Sequence, residues 1–271
     1  MDNFKIFLIF LWTGFFIFLT VQIFSFFKYK KLLKKLKKTP LPEKYKKHIL
    51  NLPEYQKLTP QQKKIIEYKI QRFLKEKEFI GIKLKITDKI KTVIAFYACL
   101  ITLAYEDFCY PDLKYIYVYP HTIVLNTHQN GAVISNEEIL ISGEALKDGV
   151  IIAWDEVKKD IKLKRNVVIH EFAHILDFEE GEINGIPPIE ESKYTEWSKI
   201  MFKEYEKFRE KLLKNRLLGK YSLIDKYAAT NKAEFFAVLS EYYFKKPEIL
   251  KKHFPKIYKE LKSFYKIELG A

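Results

Sequence analysis

His170-Glu171-Phe172-Ala173-His174 sets two imidazoles four residues apart. On a helix, positions i and i+4 share a face, so both rings can aim a nitrogen at one ion. Glu171 lies one step round from His170, where it can reach a metal's water rather than the metal. The flanks predict a helix over 166–179. Asn166 can cap it, Val167, Val168 and Ile169 lead in, and Phe172, Ala173, Ile175 and Leu176 cover its other sides. A ligand-bearing helix must be held rigidly, and an apolar jacket suits that need. The plain alternative is a pair of core or surface histidines that bind nothing. By residue frequencies the His-Glu-x-x-His pattern arises by chance about once per hundred chains of this size, which favours the metal reading.

Two histidines do not complete a catalytic zinc site; a third protein ligand is needed, with one position left for water. The extended pattern of a glycine and a third histidine after His174 is absent, and Asp177 and Glu180 stand in those places. His48, His121, His128 and His253 have no ligand-like spacing. A carboxylate is the better candidate. Glu179, Glu180 and Glu182 follow the helix too closely, which leaves Glu190, Glu191 and Glu196 or Glu234. Asn231 with Glu234 three residues later also fits an ordinary capping box. In favour of Glu234 as a ligand, it directly precedes Phe235-Phe236-Ala237-Val238 and so turns inward.

The elements that must position these residues read as helix-rich. Helices are expected at Pro60–Phe79, Asp88–Leu103, 166–179, 191–218, 232–245 and 247–266. Two short strands are expected between Tyr115 and Asn126, interrupted by Pro120, and another at Val150–Trp154. The free edge of that last strand could bind an extended peptide. Strands followed by several helices give an α+β domain.

Upstream, Ile6 to Phe27 is uncharged and rich in Phe, Ile and Leu. About 20 such residues cross a hydrocarbon core. Residues 1–38 carry a net charge of +7, half of the chain's +14, mostly as lysines after Phe27. A signal peptide would have a shorter apolar run and a small-residue cleavage site. The expected organisation is a membrane anchor and basic flank at 1–38 with a transmembrane segment at about 6–27, a linker at 39–51, and one catalytic domain at 52–271. The lysine flank puts the domain in the cytoplasm, on a single-pass protein of the inner membrane. Thr39-Pro40-Leu41-Pro42 ends any helix leaving the membrane.

Two cysteines, Cys99 and Cys109, exclude a disulfide framework and are expected as reduced thiols. No nucleophile elbow, phosphate loop or dinucleotide fingerprint occurs. Among 48 basic residues only Arg72, Arg165, Arg209 and Arg216 are arginines, and no nucleic-acid motif is present, so nucleic acid is not expected as a partner.

Three separated motifs then occur in order: Val168 to Asp177, Asn184-Gly185-Ile186-Pro187, and Tyr227 to Val238. Together they resemble the Mlc titration factor A family of zinc-dependent peptidases, from about Leu50 to about Phe264. Gly149 to Asp155 is similar to that family's strand before the active-site helix. The resemblance implies a gluzincin-like zinc metallopeptidase domain, similar to the anthrax lethal factor protease, with one catalytic Zn2+. It implies His170, His174 and Glu234 as zinc ligands, Glu171 as catalytic glutamate and Tyr227 as a tyrosine beside the metal. It also implies aminopeptidase activity on peptide or protein substrates, and a transcriptional repressor as partner. The N-terminal anchor departs from the family's best-known, cytosolic member, which bears more on the repressor than on the peptidase role. Asp177, one turn past His174, is expected to orient a ligand imidazole, its alternative being a helix-end surface residue. A second functional reading is a membrane-tethered binding protein that sequesters a transcriptional regulator.

Overall fold

A computed structural model of the chain describes residues 3–121, 126–128, 132–134, 148–163, 165–178, 184–214 and 218–270. Helix α1 runs without interruption from Asn3 to Lys38. Its large side chains from Phe10 to Phe27 stand exposed, and the helix is long and apolar enough to cross a membrane. It stops where Thr39-Pro40 was expected to stop it. The last three turns behave differently from the rest. Leu32 and Leu33 are half-buried and Leu36 is buried. The Tyr29 hydroxyl donates to Glu76, and Lys37 pairs with Glu106 at 2.5 Å.

The stretch 39–51, expected as a linker, carries Leu41 and Ile49 into the hydrophobic core. It is also tied down by polar bonds: Gln71 donates to the Thr39 carbonyl at 2.8 Å, and Lys46 pairs with Glu67 at 2.9 Å. Short helices α2 (Glu43–Lys46) and α3 (Pro53–Gln56) follow. Helix α4 (Pro60–Glu76) begins with a complete capping box between Thr59 and Gln62. It ends before Phe79 because Glu78–Gly81 is a strand, β1, that the sequence reading assigned to the helix.

Helix α5 (Asp88–Leu100) is buried almost throughout, as its unbroken apolar run requires. Strand β2 (Tyr115–Tyr119) precedes a short antiparallel pair, β3 (Asn126–His128) and β4 (Ala132–Ile134). Strand β5 (Gly149–Ala153) completes a parallel sheet in the order β1-β2-β5, with Glu78 opposite Tyr115 and Tyr115 opposite Gly149. Helix α6 (Trp154–Leu163) leaves β5 directly and was not anticipated.

Helix α7 (Val167–Phe178) carries the paired histidines. Helix α8 (Glu191–Leu213) is long and half-exposed; α9 (Lys232–Lys245) is largely buried. The helix expected over 247–266 is two, α10 (Pro247–His253) and α11 (Pro255–Tyr265), because Pro255 cannot donate to the preceding turn. The architecture of the described residues is helix-rich α+β, with a three-stranded parallel sheet and a two-stranded antiparallel pair.

The core wraps the rear of α7. Phe172 is fully buried, its ring 5.8 Å from Phe73 and 4.9 Å from Tyr110. On α9, Phe236 is fully buried against Trp197 of α8, at 5.9 Å. Burying each such ring stabilises by about 1.5–3 kcal/mol. The apolar sides of α7 and α9 are thus fixed in the core, which leaves their polar residues facing each other.

Candidate metal centre

Asn166 caps α7 as expected: its Oδ1 accepts from Ile169 N at 2.9 Å. On the same helix the imidazoles of His170, which is buried, and His174, which is half-buried, converge, with Nε2 atoms 3.3 Å apart. Glu234 enters from the first turn of α9. Asn231 Oδ1 accepts from Glu234 N at 2.8 Å, which is half of a capping box. The other half is missing because the Glu234 carboxylate turns instead to the histidines. Its Oε2 lies 3.0 Å from His170 Nε2 and 3.4 Å from His174 Nε2.

The three atoms therefore form a triangle with edges of 3.0, 3.3 and 3.4 Å. A tetrahedral ion with ligand bonds of 2.0–2.1 Å has ligand–ligand edges of about 3.3 Å. The donor set fits such an ion in type and in spacing. Electrostatics agree. Burial alone would lower the His170 pKa, but hydrogen bonds to Glu234 and Glu241 raise it to about 10. Burial alone would raise Glu234, but His170 and His174 bring it down to about 2. The carboxylates are thus arranged to hold positive charge at this point.

Glu171 is directed by its place on the helix to the same region. Burial raises its pKa, against the pull of His170 and His174. Tyr227 sits in a 3-10 turn, Lys226–Ala229, which Asp225 caps by accepting from Tyr227 N at 3.0 Å. Its ring centroid is 5.9 Å from that of His170, and its face stays more than half exposed. Partial burial and the Glu234 charge raise its hydroxyl pKa.

Glu190, Glu191 and Glu196 lie at the exposed start of α8, and Glu190 pairs with Lys193 at 3.1 Å. The structure brings Glu234, and none of these three, to the histidines. Glu179, Glu180 and Glu182 lie outside the described residues.

Asp177 is fully buried, and its Oδ2 accepts from Gly185 N at 2.8 Å. Its bonded oxygen therefore holds the Asn184-Gly185-Ile186-Pro187 loop. Its Oδ1 and His174 Nδ1 are both buried without a hydrogen-bond partner. Gly185 has φ +81°, and a Cβ there would meet the Lys232 carbonyl at 2.6 Å, so only glycine fits against the start of α9. Trp197 Nε1 donates to the Gly185 carbonyl at 3.1 Å. The loop thereby braces the turn that delivers Glu234.

A cleft of about 900 Å³ opens from His174 and Glu234. Asn184 and Ile186 line it together with Tyr194, Phe202, Tyr205, Glu206 and Arg209 of α8. A sequence profile of the glucose-regulated metallo-peptidase M90 family matches residues 27–266. The chain belongs to this family.

Relatives of the family chain span most of its length. It is 35% identical over 245 residues to the uncharacterized protein slr2042 of Synechocystis sp., covering 87% of this chain and 88% of that one. It is 29% identical over 223 residues to Mlc titration factor A of Escherichia fergusonii, covering 80% and 83%. The Mlc titration factor A of Serratia proteamaculans is 30% identical over 202 residues, covering 72% and 76%. Membership implies a metal ion and a peptide or protein substrate. The M90 match begins at Phe27, earlier than the resemblance from about Leu50, and so takes in the packed end of α1.

One residue of this cluster was not anticipated. Glu241 Oε1 lies 2.9 Å from His170 Nδ1, and its Oε2 accepts from Asn166 N at 2.9 Å. It fixes the ring of His170 and the start of α7 together. Glu241 stands seven residues after Glu234, two turns along the same face of α9, and that spacing was a usable signal.

Proposed function

We propose that the chain is a zinc-dependent peptidase with a gluzincin-like site, in which His170, His174 and Glu234 hold one Zn2+. The observation that carries this reading is the triangle of two Nε2 atoms and one carboxylate oxygen, matched to a tetrahedral zinc edge. When bound, zinc would lower its water's pKa to about 7 and polarise the scissile carbonyl. Glu171, whose pKa is raised by burial, is suited to take the water's proton and pass it to the leaving amine. Tyr227, beside His170 and open to the surface, can donate its hydroxyl hydrogen to the developing oxyanion. Glu241 holds His170 in the tautomer whose Nε2 faces Glu234. Asp177 Oδ1, one turn from His174, is the carboxylate oxygen available to that ring.

The substrate is an extended peptide, and the edge of β5 opposite β2, which pairs with no described strand, could take it by strand addition. Aminopeptidase action is the preferred form. The domain organisation follows the same proposal: α1 anchors the chain in the inner membrane, lysines inside, and the catalytic part lies in the cytoplasm. The family resemblance implies a transcriptional repressor as a further partner.

The test uses the full chain in detergent micelles. Bound zinc near one equivalent and cleavage of peptide reporters are expected, with both lost on chelation. Glu234→Ala should lose tight zinc binding; stoichiometric zinc in that variant would reject Glu234 as the third ligand. Zinc without cleavage of any peptide would favour the sequestering protein instead.

A further inference from the structure

The α8 wall of the cleft carries a charge that the metal centre does not use. Phe202, Tyr205, Glu206 and Arg209 recur at helical spacing along one face of α8, and all line the cleft shared with His174 and Glu234. Among the described arginines, Arg72 is bonded to Glu76 and to the Asp107 carbonyl, and Arg165 lies 3.9 Å from Asp225. The Arg209 side chain makes no hydrogen bond or ion pair with any described residue. The acidic neighbours that could neutralise it are engaged elsewhere. Glu204 binds Lys207, Lys220 and Tyr221, and Glu210 binds Lys214. Glu206 lines the same cleft, but no ion pair joins it to Arg209.

A second cation faces the same space. Lys232 lines the cleft at the start of α9, its ammonium 3.9 Å from the centroid of the Phe202 ring. Beyond the metal ligands, the cleft thus presents two cations and one carboxylate, walled by Tyr194, Phe202 and Tyr205. In a chain whose cations are mostly lysine, the one at the far end of this wall is arginine. Its planar fork matches a carboxylate with two parallel hydrogen bonds, which an ammonium cannot do.

We infer that Arg209 is a specificity-determining residue that binds a carboxylate of the peptide in the cleft, with Lys232 adding to the field. This rests on the peptidase reading above. Two sources offer that group: an Asp or Glu side chain of the peptide, or its C-terminal carboxylate. Glu206 opposes the attraction and limits it to one carboxylate.

Binding of four hexapeptides to the full chain in micelles separates these cases. The background is polyalanine, with Glu or Gln at position three and a free or amidated C-terminus. Titration calorimetry is done on Glu171→Gln, so that nothing is cleaved. One carboxylate should tighten binding about fivefold to twentyfold over its neutral counterpart. Which pair shows the difference names the source. Arg209→Gln should abolish the difference, Arg209→Lys should restore part of it, and Glu206→Gln should enlarge it. Lys203→Gln, on the same helix but not lining the cleft, should leave it unchanged. An equal preference in Arg209→Gln overturns the inference. Binding and wild-type cleavage of all four peptides without preference also overturns it, while leaving the peptidase reading intact. Failure to bind or cleave any peptide removes both.

Discussion

Glu67 and Glu234 are both partly buried glutamates held below the usual carboxylate range, and their surroundings differ in kind. Glu67 accepts from Tyr55 at 2.6 Å and from Leu41 N at 3.4 Å, and pairs with Lys46 at 2.9 Å. Every one of those partners is a donor. Glu234 shares its space with two ring nitrogens that face each other as closely as they face the carboxylate. A structural carboxylate gathers hydrogen donors until its lone pairs are filled. A ligand carboxylate gathers other ligands. The contrast separates a polar cluster that holds the fold from one whose geometry suits a cation, although both lower a glutamate's pKa.

The largest expected break is chemical. Glu171→Gln should keep zinc and lose about 10²–10⁴-fold in peptide cleavage, measured as kcat/KM beside metal analysis. A fully active variant would remove Glu171 from the mechanism. Next, Glu241→Gln should weaken zinc binding about 10- to 100-fold in chelator competition while the chain stays folded. An unchanged affinity would place Glu241 with the structural cluster.

Glu67→Gln tests the other side of the comparison. Zinc affinity and cleavage should not move, and stability should fall by about 1 kcal/mol in thermal or urea unfolding. The sign of its pH dependence follows from the lowered pKa. Burial works against the charged form, but Tyr55, Lys46 and Leu41 N outweigh it. Glu67 therefore stabilises the fold above its unfolded value of about 4.3, and that contribution is lost as pH falls through the folded value. Glu67→Gln should flatten the acid side of a stability–pH curve; an unchanged slope would show that other groups carry it. The smallest effect is expected from Tyr29→Phe, which removes the bond to Glu76. It should cost under about 1 kcal/mol and leave the zinc site untouched.

The same contrast shows what could be read from residue order. His170 and His174 needed only helix period, and Asn166 and Asn231 only cap chemistry, so both site helices were legible. Glu234 was ambiguous because a capping box and a metal ligand make the same demand on spacing. Only the direction of its side chain decides between them, and that direction is set by α7, sixty residues away. Glu241 was passed over although its spacing from Glu234 was visible, because its partner His170 lies on another helix. Strand β1 was absorbed into α4, and α6 was missed, because each is short and defined by neighbours in the sheet or core. The stretch 39–51 looked like a linker from its prolines, while Leu41 and Ile49 gave too short an apolar signal to announce their burial.

Helix α1 gives the molecule an angular constraint. The segment from Phe10 to Phe27 and the packed turns from Tyr29 to Leu36 belong to one continuous helix. With α1 crossing a bilayer, as proposed, the cleft has a fixed bearing about the helix axis. Each added residue would turn that bearing by about 100° and raise it by about 1.5 Å. Substrates would then have to approach from one side of the anchor, at a set height above the lipid.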